Sequence, residues 1–261
     1  MSNVWKIIKR MENYGAQIAL VILVLLVCII SPEFRSVHNI FSLLRQSAVN
    51  GLIAFGMTCV ILTGGIDLSV GSTLCLSALL CAGMIKSGLP VPAAMGFALL
   101  IGVFLGMLNG LMIVKGRLQP FIATLVSMTA YRGMSMIFSN GRPISNLGNS
   151  SLLDQLGRGS LLGIPVPVWI LALLFAVFYF ILHKTVLGRK IYAVGSNDKA
   201  ASLAGINTGA IRFLVYSISG VTAALAGLIL VSRLSSAQPT MGSGYELDAI
   251  AAVALGASAI P

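Results

Sequence analysis

The chain has 261 residues, 57% of them hydrophobic and only 9% charged, where soluble domains hold about 25% charged residues. That is too little polar side chain to cover a water-soluble surface, and long apolar runs favour membrane helices over a barrel. A net charge of +10 would raise nucleic acid as a partner of a soluble protein. Here the basic residues lie between apolar runs, where they report topology, and no nucleic-acid partner is expected.

Residues 1–13 form a basic amphipathic lead-in with Trp5, and Tyr14 follows near the water boundary. No small-residue cleavage site follows the first apolar run, so it is expected to be retained as a span rather than removed as a signal peptide. Seven spans are predicted, over 15–30, 47–62, 70–85, 91–114, 121–138, 166–182 and 213–231. Residues 247–260 begin an eighth but supply about 14 residues of the roughly 20 needed to cross. Between spans, 31–46 is polar and carries Arg35, His38 and Arg45, 115–120 is a tight basic turn, and 139–164 is a long Gly/Ser/Asn-rich loop. The fold class is therefore an all-α polytopic membrane protein with about seven complete transmembrane helices and a truncated eighth. It forms a single transmembrane domain over 1–261.

Basic residues set the orientation. With the N-terminus cytoplasmic, Lys6, Lys9, Arg10, Lys115, Arg117, Lys184, Arg189, Lys190, Lys199 and Arg212 face inward. Arg35, Arg45, Lys86, Arg142, Arg158 and Arg233 face outward, and Arg132 falls within a span. Ten against six places the stretch 187–207 in the cytoplasm and 139–164 outside.

Gly102, Gly106 and Gly110 repeat every four residues on one face of the fourth span, and Gly220, Ala224 and Gly227, spaced four and then three apart, share a face of the seventh. Small residues let membrane helices approach closely, so both sets predict packing faces. Cys28, Cys59, Cys75 and Cys81 lie in apolar stretches without a CxxC pair or a nearby His, so they read as small core- or lipid-facing residues.

The stretch 187–207 is the longest that is too polar for a bilayer and still reads as ordered. Asn197 or Asp198 is a good N-cap, 199–204 is a run of helix formers, and Gly205 is a natural stop. A helix of about seven residues, roughly 10 Å long, results. It is either a contact element for another protein or an ordinary connection.

Asp67 sits between glycines where spans two and three meet. A charge there needs a partner. It is either a structural carboxylate capping the third helix or a mobile, coupling group. Arg132 lies roughly 18 Å up the fifth helix, for a salt bridge inside the bundle or for contact with a transported molecule. Asn50, Asn109, Thr124 and Ser127 are polar residues within spans, for interhelical hydrogen bonds or for lining a path. There is no Walker A pattern, no HExxH, no GxSxG and no His/Cys cluster. No ATPase site, metal site or cofactor of its own is expected, and the chain is not read as an enzyme.

Four stretches resemble one family. They are Thr63-Gly-Gly-Ile-Asp-Leu-Ser-Val-Gly-Ser72, Lys115-Gly-Arg-Leu-Gln-Pro-Phe-Ile-Ala-Thr-Leu125, Leu187-Gly-Arg-Lys-Ile-Tyr-Ala-Val-Gly-Ser-Asn197, and Ser235-Ser-Ala-Gln-Pro-Thr240 with Gly244-Tyr-Glu-Leu-Asp-Ala-Ile-Ala-Ala252. From about Ile18 to its end the chain resembles the ribose-type permease subunits of bacterial ABC sugar importers.

The resemblance implies a permease of the inner membrane that moves a monosaccharide, ribose or a related pentose or hexose. It implies a second permease copy or related chain. It also implies two ATP-binding subunits, or one fused double ATPase, on the cytoplasmic face and a periplasmic sugar-binding protein outside. Nucleoside or autoinducer permeases are the near alternative, and a stand-alone secondary carrier the distant one. The segment 183–212 becomes a cytoplasmic coupling loop through Gly195, Asn197, Asp198, Lys199, Ala200, Ala201 and Gly205. Lys199 stands where the family's Glu-Ala-Ala-x-x-x-Gly pattern has Glu. Family members continue past 248–252 with a glycine-rich turn and about two further spans of roughly 20 residues each, so C-terminal truncation is expected.

Overall fold

The computed structural model describes Gly15, residues 18–148 and residues 150–258. The basic lead-in with Lys6, Lys9 and Arg10, and the last residues to Pro261, lie outside the described residues. The helices are α1 (Ile18–Ile30), α2 (Val37–Leu62), α3 (Val70–Lys86), α4 (Val91–Val114) and α5 (Pro120–Ser139). They continue with α6 (Ser151–Arg158), α7 (Val166–Lys184), α8 (Val186–Ser196), α9 (Asp198–Leu203), α10 (Thr208–Leu234) and α11 (Tyr245–Ser258). Two small antiparallel pairs join β1 (Ile144–Ser145) to β4 (Ser236–Ala237), and β2 (Ser160–Leu161) to β3 (Ile164–Pro165).

The chain is an all-α multi-pass membrane protein. Among the described residues five helices, α2, α4, α5, α7 and α10, are long and apolar enough to cross a membrane. Helices α1 and α3 are apolar but shorter.

Helix α10 is the axis of the bundle. Its most apolar stretch is 78% buried, against 17% in α7, and it packs on α2, α3 and α4. Helix α7 turns Leu173, Phe175 and Phe180 outward, which suits a lipid-facing position. The glycine faces meet as the spacing predicts. A Cβ on Gly102 would strike Gly220 and Ala224, one on Gly106 would strike Tyr216, and one on Gly110 would strike Phe213. Gly227 turns to another neighbour, packing on Leu74 of α3.

Several boundaries differ from the sequence reading; helix α10, for example, starts at Thr208 rather than at residue 213. Helix α2 starts at Val37, not at residue 47, because the Ser36 hydroxyl caps it by accepting from the Asn39 amide at 3.2 Å. His38 and Arg45 therefore lie on the helix. The segment 139–164 is not loop throughout: it contains α6, which is fixed to α10 where the Gly157 amide donates to Ser232 Oγ at 2.6 Å. The stretch 187–207 contains two helices, α8 and α9, where one was expected. Thr185 caps α8 through the Gly188 amide.

Candidate functional site

The break between α2 and α3 is built from residues 63–69. Gly64 turns the chain at φ +77°, and a side chain on Gly65 would strike the Tyr216 hydroxyl. Tyr216 Oη donates to the Ile66 carbonyl at 3.4 Å, and Thr124 Oγ1, whose shorter contact is to the Pro120 carbonyl at 2.9 Å, lies 3.2 Å from it, so α5 and α10 both pack against the broken backbone. Such backbone at membrane depth persists only when its polar groups find partners inside the protein.

Asp67 is buried at the centre of this break. Its Oδ1 accepts from the Ser69 amide at 3.0 Å and from the Ser69 hydroxyl at 2.7 Å. Its Oδ2 accepts from Ser219 Oγ on α10 at 2.8 Å. Asn109 Nδ2 on α4 donates to Ser69 Oγ at 2.7 Å. The carboxylate thus sits at the start of α3, and its partners are hydroxyls and an amide. Among the described residues neither salt bridge involves it. Ser69 and Ser219 were not singled out from the sequence, since serines are common in membrane helices and nothing local marks these two.

Beyond α10 the chain re-enters the bundle. After β4 pairs with β1, residues 238–242 run back against α3 and α5. Cys75 Sγ approaches the Gln238 and Pro239 carbonyls, and Gly242 packs directly on Gly71. Arg132 Nη1 donates to the carbonyls of Pro239 at 3.1 Å and Met241 at 2.7 Å. The salt bridge expected of Arg132 is therefore replaced by backbone carbonyls of the re-entrant turn.

Helix α11 then starts inside the bundle rather than at its outer edge. Asn50 Nδ2 donates to Asp248 Oδ2 at 3.3 Å. Asn50 lies 12 residues before Leu62, and Arg132 lies 12 residues past Pro120. Each is about 18 Å from the same end of the bundle at about 1.5 Å per residue. Glu246 and Asp248, placed outside the eighth span or at its edge by the sequence reading, thus lie at mid-depth. A charge in that position costs about 2.5–3.5 kcal/mol on insertion scales if it meets lipid. Arg132 and Glu246 are half-buried and border a pocket of about 310 Å³ with Met128, Thr129 and Ser243.

At the end of the bundle that holds Leu62, Val114, Pro120 and Lys184, α8 and α9 pack across the helix ends, with Ile191, Val194 and Ala201 buried. A side chain on Gly195 would strike the Leu62 carbonyl, so α8 lies against the end of α2. Asn197 Oδ1 accepts from the Ala200 amide at 3.0 Å and caps α9. Asp198 pairs with Arg212 on α10 at 3.3 Å. Ala201 is buried, while Lys199, Ala200 and Ser202 are exposed. Gly205 takes φ +81° just past the helix. Leu203 stands 90% exposed at its tip, a residue that the sequence reading passed over within the run of helix formers.

Residues 39–260 match the family described as branched-chain amino acid transport system / permease component. A ribose import permease protein of Bacillus subtilis is 52% identical over 250 residues, covering 96% of this chain and 78% of that protein. Another, of Haemophilus influenzae, is 51% identical over 245 residues, covering 93% and 76%. A third, of Escherichia coli K12, is 48% identical over 246 residues, again covering 93% and 76%. No solved structure matches the chain.

Proposed function

The chain belongs to the branched-chain amino acid transport system / permease component family, and we propose that it is the permease subunit of an ATP-driven importer that carries ribose or a closely related sugar. One observation carries this reading: three ribose import permeases are 48–52% identical to it over nearly its whole length. The protein sits in the inner membrane with its N-terminus and the α8–α9 end in the cytoplasm. It works with a second permease copy, with two ATP-binding subunits or one fused double ATPase, and with a periplasmic sugar-binding protein. ATP is bound and hydrolysed by the partner subunits, and this chain needs no cofactor.

In this reading α9 is the coupling helix. Gly195 seats α8 on α2, Asn197 and Asp198 start the helix, and Gly205 ends it. Ala201 anchors it, and Lys199, Ala200 and Leu203 face the ATPase. Its exposed apolar tip, an unusual exposure for a leucine in a polar element, supports that role. Asp67, Asn109 and Asn50 hold the break and the re-entrant helix together, and Arg132 faces the path.

Glu246 and Asp248 at mid-depth favour one alternative, a stand-alone carrier driven by an ion gradient, because such carriers use carboxylates within their spans. Reconstitution with the ATPase and the binding protein separates the two. Ribose uptake that needs ATP hydrolysis and the binding protein is expected. Uptake driven by an ion gradient without ATP would reverse the assignment.

A further inference from the structure

We infer that the mid-depth pocket between α5 and the start of α11 is a contact site for the transported monosaccharide, with Arg132, Glu246, Thr129 and Ser243 as its polar groups. This rests on the importer reading above and adds the place where the sugar touches the permease. The first support is position. Arg132 and Glu246 are half-buried at a depth where lipid contact is costly, so the surface they share faces water or a polar ligand. A second support is the unmatched acceptor. Glu246 Oε1 accepts from the Gly244 amide at 3.2 Å, while Oε2 is buried against Gly71 of α3 with no hydrogen-bond partner among the described residues, so it meets a ligand once the side chain rotates.

The remaining groups complete a set suited to a polyol. Thr129 and Ser243 spend their hydroxyl protons on the Val126 and Thr240 carbonyls, so their lone pairs remain for a ligand's hydroxyl protons. Arg132 uses Nη1 on the two carbonyls of the turn, and its guanidinium carries further N–H groups on Nε and Nη2. Acceptors outnumber donors, and one apolar wall is Met128. A sugar offers the complement, several O–H donors around a ring with apolar C–H faces. A volume of about 310 Å³ is at the small end of ligand pockets, which suits a single monosaccharide.

The test uses the assembled transporter in proteoliposomes. In Thr129→Cys and Ser243→Cys, a water-soluble methanethiosulfonate should label the new thiol at least about tenfold faster than the native cysteines, since the reactive form is the hydrated thiolate. Excess ribose should slow labelling by about threefold or more. In Glu246→Gln, ribose uptake per ATP hydrolysed should fall by about fivefold or more.

Labelling no faster than in the unaltered chain, or indifferent to ribose, overturns the site. Unchanged uptake in Glu246→Gln does the same. If Glu246→Gln fails to assemble, the two cysteine variants decide. Failure of the unaltered complex to take up any monosaccharide would instead overturn the importer reading, an outcome the same preparation reports separately.

Discussion

Asp67 accepts a 2.8 Å hydrogen bond from Ser219, so the break between α2 and α3 is tied to the middle of α10. The same α10 carries Arg212, which pairs with Asp198 on α9. Arg212 and Ser219 are seven residues apart, about 10 Å along the helix. Helix α10 thus joins α9 to the buried break, with a polar contact at each end.

The Asp67 contacts give the first prediction. Asp67→Ala leaves the Ser69 amide and the Ser219 hydroxyl without their buried acceptor, and about 2 kcal/mol of stability should be lost. Asp67→Asn keeps an acceptor for the Ser69 amide, and Ser219 can accept where it donated. That variant should unfold within about 1 kcal/mol of the unaltered chain. Thermal unfolding in detergent checks both. A destabilisation of Asp67→Asn equal to that of Asp67→Ala would show that the negative charge, not the acceptor geometry, holds the break.

The α4–α10 crossing gives the second. Any side chain on Gly220 meets the backbone of Gly102 and Gly106, and backbone cannot yield as a flexible side chain can. Gly220→Val should cost about 3 kcal/mol, at the upper end for overpacking, and lower the monodisperse fraction in size-exclusion chromatography. Gly96 lies on the same α4 with open space around it. Gly96→Ala should be neutral or stabilising by about 0.5 kcal/mol, because alanine is the better helix former. Equal losses in the two variants would mean that helix propensity rather than close approach governs α4.

Some of this was legible because it is periodic. The four-residue glycine spacing of α4 pointed to a packing face, and α10 supplies the partner. Asn197 and Gly205 marked the ends of α9 to within a residue, since capping is local chemistry. The start of α2 was missed because Arg45 and His38 look like loop when only hydropathy is counted, while the Ser36 cap extends the helix through them. The start of α11 was misplaced for a different reason. A re-entrant turn is held by distant contacts, Arg132 to Pro239 and Gly242 to Gly71, and no local pattern announces them. That displacement is what hid Glu246.

Ion pairing of Asp198 with Arg212 gives the third prediction. The pair is a third to nearly half exposed, so its net stability is well under about 1 kcal/mol and neither single variant should shift the melting temperature measurably. If α9 seats in the ATPase, the pair should act by fixing the orientation of that helix. Asp198→Arg and Arg212→Asp should each lower uptake and ATPase coupling, and the double exchange should restore part of both. Asp198→Arg also puts a positive charge at the start of α9, against the helix dipole, so full recovery is not expected. A double variant no better than Asp198→Arg alone would mean that the dipole, not the pair, sets the position of α9.

Leu203 gives the last. At 90% exposed it buries almost nothing within this chain, so Leu203→Ala should leave the melting temperature unchanged. If α9 seats in a cleft of the ATPase, the same side chain becomes buried in the complex. Its truncation then removes about 2 kcal/mol of apolar burial, roughly a thirtyfold loss of affinity. Co-purification of the ATPase with Leu203→Ala and Leu203→Asp in mild detergent reads this directly. The aspartate should be worse than the alanine, because it places an unpaired charge in the same cleft. Lys199→Ala is the matched control on the same helix. Exposed and without an ion-pair partner among the described residues, it should cost far less unless an acidic group on the ATPase faces it. Full ATPase retention in both Leu203 variants would mean that the tip does not enter the partner, and that α9 couples, if at all, through its flank at Ala200.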